Sequence, residues 1–190
     1  NMVYWLMKKE SALAYIGHNA NNDREENDFY PTPINATQSL LDRQKFDGNI
    51  WECACGDGAM SELLIKSGYD VYSSDLIDRG YGETGIDFLQ STKQVDNIVT
   101  NPPFNLATEF TTHAFTLARK KVVMLSKVSY LEGLKRRKEI FDKKKLEKVL
   151  IFSRRVPFKK KGDTIAKGLM AFGWFIYDVN YNGLPTIDWI

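Results

Sequence analysis

Cysteine and histidine are scarce, two of each in 190 residues, and the scarcity closes several chemistries at once. Cys53 and Cys55 stand one residue apart, too close to staple distant parts of a fold, so there is no disulfide framework. With histidines only at positions 18 and 113, no Cys/His spacing matches a zinc site, and no metal is expected. No apolar run approaches the length of a membrane span. The first seven residues contain an apolar cluster but no charged leader with a small-residue cleavage site. These absences point to a cytoplasmic chain with no membrane partner.

What is present suits an ordinary globular domain. Hydrophobic residues make up 43% and aromatics 13%, enough for a sizeable core, and the length fits one domain spanning residues 1–190. The net charge of +2 conceals an asymmetry: residues 119–167 hold eighteen Lys/Arg against five Asp/Glu. Such a basic half is the footprint of a polyanion-binding face, although lysines also solvate helix surfaces without any partner.

The pattern along the chain alternates between β-like and α-like runs. Residues 1–28 read as a short helix around Lys8–Ile16 and a polar, mobile loop from Asn19 to Asp28. A stiff segment, Phe29-Tyr30-Pro31-Thr32-Pro33, precedes a helix over 35–44. A strand at 49–52 enters a glycine turn and a helix over 59–67. A second strand over 70–75 leads to a glycine-rich loop (80–85), and a short third strand is expected near 85–89. A fourth strand over 96–100 precedes a helix ending near Ala118, and a fifth strand covers 121–125. A basic helix is expected over 134–146. Two β-prone runs, 146–155 and 169–179, have no helix-length segment between them and should pair as an antiparallel hairpin. The sum is an α/β fold with a doubly wound, mostly parallel sheet.

Two motifs carry chemistry on that frame. The first is Glu52-Cys53-Ala54-Cys55-Gly56-Asp57-Gly58. Two glycines permit a sharp turn and close approach of a ligand, and the following helix offers free N–H groups. A phosphate-gripping G-x-G-x-x-G loop is not met, because Ser61 occupies the third glycine position; a Walker loop is absent. Asp75 ends the second strand, where a carboxylate can accept ribose hydroxyls, and Asp87-Phe88 closes the next unit. Each acid alone reads more readily as a solvated loop residue or a helix cap. Together they fit a nucleoside carrying a cationic amino-acid tail.

The second motif is Asn101-Pro102-Pro103-Phe104. Two prolines end the strand and hold Asn101 extended. An Asn Oδ1 and the Pro102 carbonyl can accept both hydrogens of an exocyclic amine and stabilise the positive charge that develops there on alkylation. Phe104 supplies a stacking surface for an extruded base. Alone, the tetrapeptide reads also as a simple strand-to-helix turn.

In this order the motifs resemble a class I S-adenosylmethionine-dependent amino-methyltransferase, with a Rossmann-like domain, closest to phage and bacterial N6-adenine DNA methyltransferases. Those families carry a Phe-x-Thr-Pro-like element, a Glu-Pro-x-Cys-Gly-x-Gly turn and an Asp/Asn/Ser-Pro-Pro-aromatic motif. The second is met here with Cys53 in place of proline. The resemblance implies that S-adenosylmethionine is the cofactor. Phe29, Tyr30, Thr32 and Pro33 would line its methionine end, and Glu52, Cys53, Gly56 and Gly58 its amino-acid part. Asp75 and Leu76 would hold the ribose, and Asp87 and Phe88 the adenine. Asn101 touches cofactor and base, and Pro102, Pro103 and Phe104 complete the base site. DNA is the implied partner, RNA being the alternative. A protein glutamine methyltransferase and a non-catalytic nucleic-acid binder on this fold are further rivals. No residues are left for a separate target-recognition domain after the last strands, so sequence specificity should be low or short. Lys127, Arg136, Arg137, Lys159, Lys160 and Lys161 are the expected nucleic-acid contacts, on a monomer or homodimer.

Overall fold

The structure is a computed structural model that describes residues 29–158 and 170–190. The expected N-terminal helix and loop, and Lys159, Lys160 and Lys161, lie outside the described residues.

Eight strands form one sheet: β1 (Ile50–Glu52), β2 (Val71–Asp75), β3 (Glu83–Thr84), β4 (Val95–Thr100), β5 (Ala118–Lys127), β6 (Leu146–Ile151), β7 (Phe172–Asp178) and β8 (Thr186–Trp189). Their spatial order is β3-β2-β1-β4-β5-β7-β6-β8. The first five run parallel, β7 is antiparallel to both β5 and β6, and β8 returns parallel to β6. The doubly wound sheet and the C-terminal antiparallel hairpin are as the sequence indicates. The last strand was not anticipated: its Thr-Ile-Asp-Trp alternation is four residues long and mostly exposed, too short to stand out from a loop.

The strands read as continuous apolar runs because both faces are covered. On β5, Val122 and Met124 join one core while Val123 and Leu125 join the other; on β7, Phe175 and Tyr177 face the first and Trp174 and Ile176 the second. The first core is closed by helix α3 (Ala107–Leu117) through Phe110, Ala114 and Leu117. The second is closed by α1 (Ile34–Leu41) and α2 (Ala59–Lys66) through Leu40, Met60 and Leu64. Two tryptophans tie the layers. Trp51 Nε1 donates to Ser74 Oγ at 2.8 Å, joining β1 to β2. Trp174 Nε1 donates to the Ala36 carbonyl at 3.0 Å, pinning α1 onto β7.

Several elements depart from the sequence reading. The expected strand near 85–89 is not one: β3 lies earlier, at Glu83–Thr84, and Phe88–Gln90 forms a 3-10 turn. Gly85 takes φ +76°, and the Asp87 side chain accepts from Leu89 N at 2.9 Å, so a local cap outcompetes a ladder. The basic helix is also shorter, with α4 covering only Leu134–Glu139. Ile140 is fully buried and leaves helical geometry, and Lys144 takes φ 55°. Burial of Ile140 and Leu146 overrides the helical charge pattern of the run. β5 is longer than expected, starting as soon as α3 ends, while β6 and β7 are trimmed at their shared end.

Tyr177 is fully buried and its hydroxyl has no hydrogen-bond partner among the described residues. A buried hydroxyl without a partner carries its desolvation cost uncompensated. Tyr177→Phe is therefore expected to stabilise the fold by about 1 kcal/mol, whereas Trp51→Ala should cost about 3–5 kcal/mol. Chemical-denaturation midpoints check both, and a destabilised Tyr177→Phe would show that the hydroxyl is satisfied.

Candidate active site

The carboxyl ends of β1, β2 and β4 surround a cleft of about 400 Å³, the place where open α/β sheets bind ligands. β1 delivers Glu52 into the glycine turn. Gly56 and Gly58 adopt φ +57° and +86°, a left-handed geometry that favours glycine. A Cβ on Gly56 would meet the Phe29 ring at 2.5 Å, and one on Gly58 the Tyr81 ring at 2.4 Å. Both aromatic rings lie directly on the turn, so the glycines serve contact as much as curvature.

Asp75, at the end of β2, is locked across the neighbouring loop. Its Oδ2 accepts from Gly56 N at 2.8 Å and its Oδ1 from Ile77 N at 2.9 Å. Each oxygen keeps a second acceptor position, and the residue lines the cleft. Glu52 is 2% exposed and accepts from the Ser61 hydroxyl, which also contacts Ser73 Oγ at 2.6 Å. Burial pushes the Glu52 carboxyl up to about 8, with the Ser61 hydrogen bond opposing it, so it is neutral at pH 7. The serine that replaces a third glycine is thus the partner of the strand-end acid. Burial likewise pushes the Cys55 thiol up to about 12 and the Cys53 thiol upward, so neither supplies a ready thiolate.

Asn101 follows β4, and its amide orientation is unambiguous. Nδ2 donates to the Tyr30 carbonyl at 3.2 Å and to Thr32 Oγ1 at 3.1 Å. The Tyr30 carbonyl can only accept, so the nitrogen must face it and the oxygen must face away. Asn101 Oδ1 is buried and has no partner among the described residues.

Of the residues singled out in the sequence, Phe29, Tyr30, Thr32, Glu52, Cys53, Gly56, Asp75, Leu76, Asp87, Phe88, Asn101 and Pro103 line this cleft. Pro33, Gly58, Pro102 and Phe104 are not among the lining residues. Pro33 starts α1, Gly58 is roofed by Tyr81, and Pro102 is buried. Phe88 is only 2% exposed, wedged among Trp51, Phe110 and His113, a wall rather than an open stacking face. Asp87 spends one oxygen on its 3-10 turn.

Phe104 lies outward, in an aromatic cluster with Tyr30 (centroids 5.9 Å apart, 19° between planes), Phe158 and Phe172. It borders a second cavity of about 150 Å³ with Lys127 and Arg136. Arg137 does not line it and instead reaches Asp142 at 3.6 Å.

Sequence reasoning missed Arg79. Its guanidinium sits 3.9 Å from the Phe29 ring centroid, and it is the one cation lining the cleft among the described residues, against Glu52, Asp57, Asp75 and Asp87. The signal was a lone arginine directly before the run 80–85 read as a glycine-rich loop. No helix of the described residues is long and apolar enough to cross a membrane.

The raised Glu52 carboxyl makes folding proton-linked. In the unfolded chain the group ionises near 4.5 and in the fold near 8, so its contribution is full below about pH 4.5 and is lost as pH rises through 8. Glu52→Gln removes this dependence. Denaturant titrations from pH 5 to 8.5 should show the wild type losing stability relative to the variant; parallel curves would place the carboxyl elsewhere.

No protein-family model matches the sequence, and a search of curated proteins finds no relative. Solved structures do resemble the fold. A Listeria monocytogenes protein assigned as a class I S-adenosylmethionine-dependent methyltransferase aligns with TM-score 0.59 at 14% identity, over 96% of this chain and 72% of its own. A Pyrococcus horikoshii protein assigned as an RNA methyltransferase aligns with TM-score 0.58 at 17% identity, over 90% and 97%. Magnesium protoporphyrin IX methyltransferase from Synechocystis, crystallised with S-adenosylmethionine bound, aligns with TM-score 0.51 at 15% identity, over 76% and 78%. The chain thus has the architecture of class I methyltransferases.

Proposed function

We propose that this protein transfers a methyl group from S-adenosylmethionine to an exocyclic amino group of a nucleobase, N6 of adenine in DNA. The observation that carries the reading is the Asn101 amide: its nitrogen is clamped by Tyr30 and Thr32, and its buried oxygen has no partner among the described residues. An acceptor held in place with nothing to accept is suited to an N–H of a bound substrate. Such preorganised contacts act on the charge that develops during reaction. The fold and the position of the cleft support the cofactor, which supplies the electrophilic methyl group.

The residues present fit that group. Asp75, held by two backbone amides, retains acceptor positions for a ribose diol. Neutral Glu52 lies at the turn, where a cationic ammonium nearby would favour its ionised form. Arg79 is the complement of the cofactor's carboxylate, since a half-buried guanidinium whose partner among the described residues is a ring retains its donors there. Asn101 Oδ1 would receive the amine, and the amine sheds its proton to water once it carries positive charge. The stacked Tyr30–Phe104 pair gives an extruded base a flat apolar edge.

The same pocket chemistry serves an amino group in RNA, and the likeness to the Pyrococcus protein favours that as the second reading. Labelled methyl transfer to unmethylated DNA, RNA and protein, followed by nucleoside analysis, separates these. Label in glutamine side chains would replace the nucleobase reading, and cofactor binding without any transfer would make the chain a binding module. Mapping on long DNA should reveal many adenines or a short site.

Two substitutions test the roles. Asn101→Ala should leave cofactor affinity near wild type while the transfer rate falls by about two to three powers of ten; near-normal turnover removes the mechanism. Arg79→Ala should weaken S-adenosylmethionine binding by about tenfold to a hundredfold. It should leave the affinity of decarboxylated S-adenosylmethionine unchanged by calorimetry. Equal losses for both ligands would make Arg79 a support for the Phe29 ring instead.

A further inference from the structure

The cavity beside Phe104 has a composition unlike the cofactor cleft. Its walls include Phe104, Ser126, Lys127, Ser129, Tyr130 and Arg136, and no carboxylate lines it among the described residues. It adjoins the larger cleft through Asn105, which borders both.

Arg136 is treated differently from its neighbours in the basic run. Lys135 pairs with Glu109 at 3.1 Å, and Arg137 reaches Asp142. Arg136 has no acidic partner among the described residues; it is held by backbone carbonyls. Nε donates to the Tyr130 carbonyl at 2.8 Å, and Nη2 donates to the Glu132 carbonyl. The Tyr130 ring lies 5.2 Å from Cζ. A Cβ on Gly133, whose φ is +117°, would stand 2.9 Å from Nη2, so the missing side chain there lets the guanidinium fold back. Two N–H groups are used, three remain, and the charge is not neutralised.

Ser126 supplies an independent observation. It ends deep in β5, is 2% exposed, lines this cavity, and its hydroxyl has no partner among the described residues. A buried hydroxyl left unpaired is costly unless a ligand completes it. A fixed guanidinium, a lysine and a buried hydroxyl form a set rich in donors. A nucleobase edge presents donors and acceptors mixed, whereas a phosphodiester presents acceptors only and carries the negative charge that this set lacks.

We propose that this cavity is a receptor for one phosphodiester of the target strand, next to the nucleotide whose base rests at Asn101 and Phe104. The inference rests on the nucleobase-amine reading and deepens it, because it makes a polynucleotide the substrate. Held there, the phosphate fixes the position of the extruded nucleotide without reading sequence.

The test uses the full chain, with S-adenosylhomocysteine present, and oligonucleotides spanning a mapped methylated adenine. Single phosphates are replaced one at a time by neutral methylphosphonates. At one position beside the target, replacement should weaken binding by about tenfold or more. Arg136→Gln should weaken the unmodified oligonucleotide similarly, and the two losses should not add. The slope of log affinity against log salt should fall by about one phosphate's worth on duplex DNA. Ser126→Ala removes no hydrogen bond among the described residues, so its unfolding midpoint should match that of the wild type. It should lose affinity for every oligonucleotide except the one neutralised at that position. Losses that add at all positions, or an unchanged salt slope with both variants, overturn the receptor while leaving the chemistry at Asn101 standing. Methyl transfer to protein and not to nucleic acid overturns both.

Discussion

The site depends on one amide. By donating to the Tyr30 carbonyl and Thr32 Oγ1, Asn101 draws residues 30–32 across the carboxyl end of β4. That segment then forms one wall of the cleft, places Phe29 on Gly56 and sets Tyr30 against Phe104. The prolines on both sides make the contact cheap in entropy, since Pro31, Pro33, Pro102 and Pro103 restrict the backbone before folding. Two chain segments 69 residues apart are thereby held with the nitrogen satisfied and the oxygen not. Loss of this clamp would free the amide to rotate and would loosen the wall at the same time.

Charge is sorted over the two cavities. Among the described residues, the larger cleft collects four acids around a single arginine, while the cavity beyond Phe104 collects cations and hydroxyls and no acid. Phe104 and its aromatic neighbours stand between. On the proposed reading, a ligand with a cationic tail and a polymer with an anionic backbone would be directed to opposite sides of the same ring, and each cavity would disfavour the other's ligand by like-charge repulsion.

Much of this was legible from local patterns. Asn101-Pro102-Pro103-Phe104 marks a strand end because prolines act locally, and the two-glycine turn announces itself for the same reason. The alternation of β-like and α-like runs is enough for the parallel half of the sheet. What was not legible depended on contacts far apart in the chain. Arg79 gains its place only when its loop folds over the Phe29 ring. The helix ending at Glu139 is cut short because Ile140 is needed in a core built by β5 and β7. Glu52 reads as an acid at a strand end, and only its burial beside Ser61, which pushes its carboxyl upward, sets it apart from an ordinary carboxylate. Phe88 is expected to hold an adenine and is in the structure a core ring.

The position of β7 has a consequence for how the chain comes into being. β7 lies between β5 and β6 but follows both in sequence, and it carries Trp174, whose indole fastens α1. During synthesis β5 must therefore wait, with an edge that is apolar over Val122–Leu125 unpaired, until residues 172–178 leave the ribosome. β6 cannot occupy that edge in its place without excluding the strand that belongs there. Most of the chain is thus made before its central layer can close, and the nascent protein passes through a stage in which a hydrophobic ladder is open to other strands.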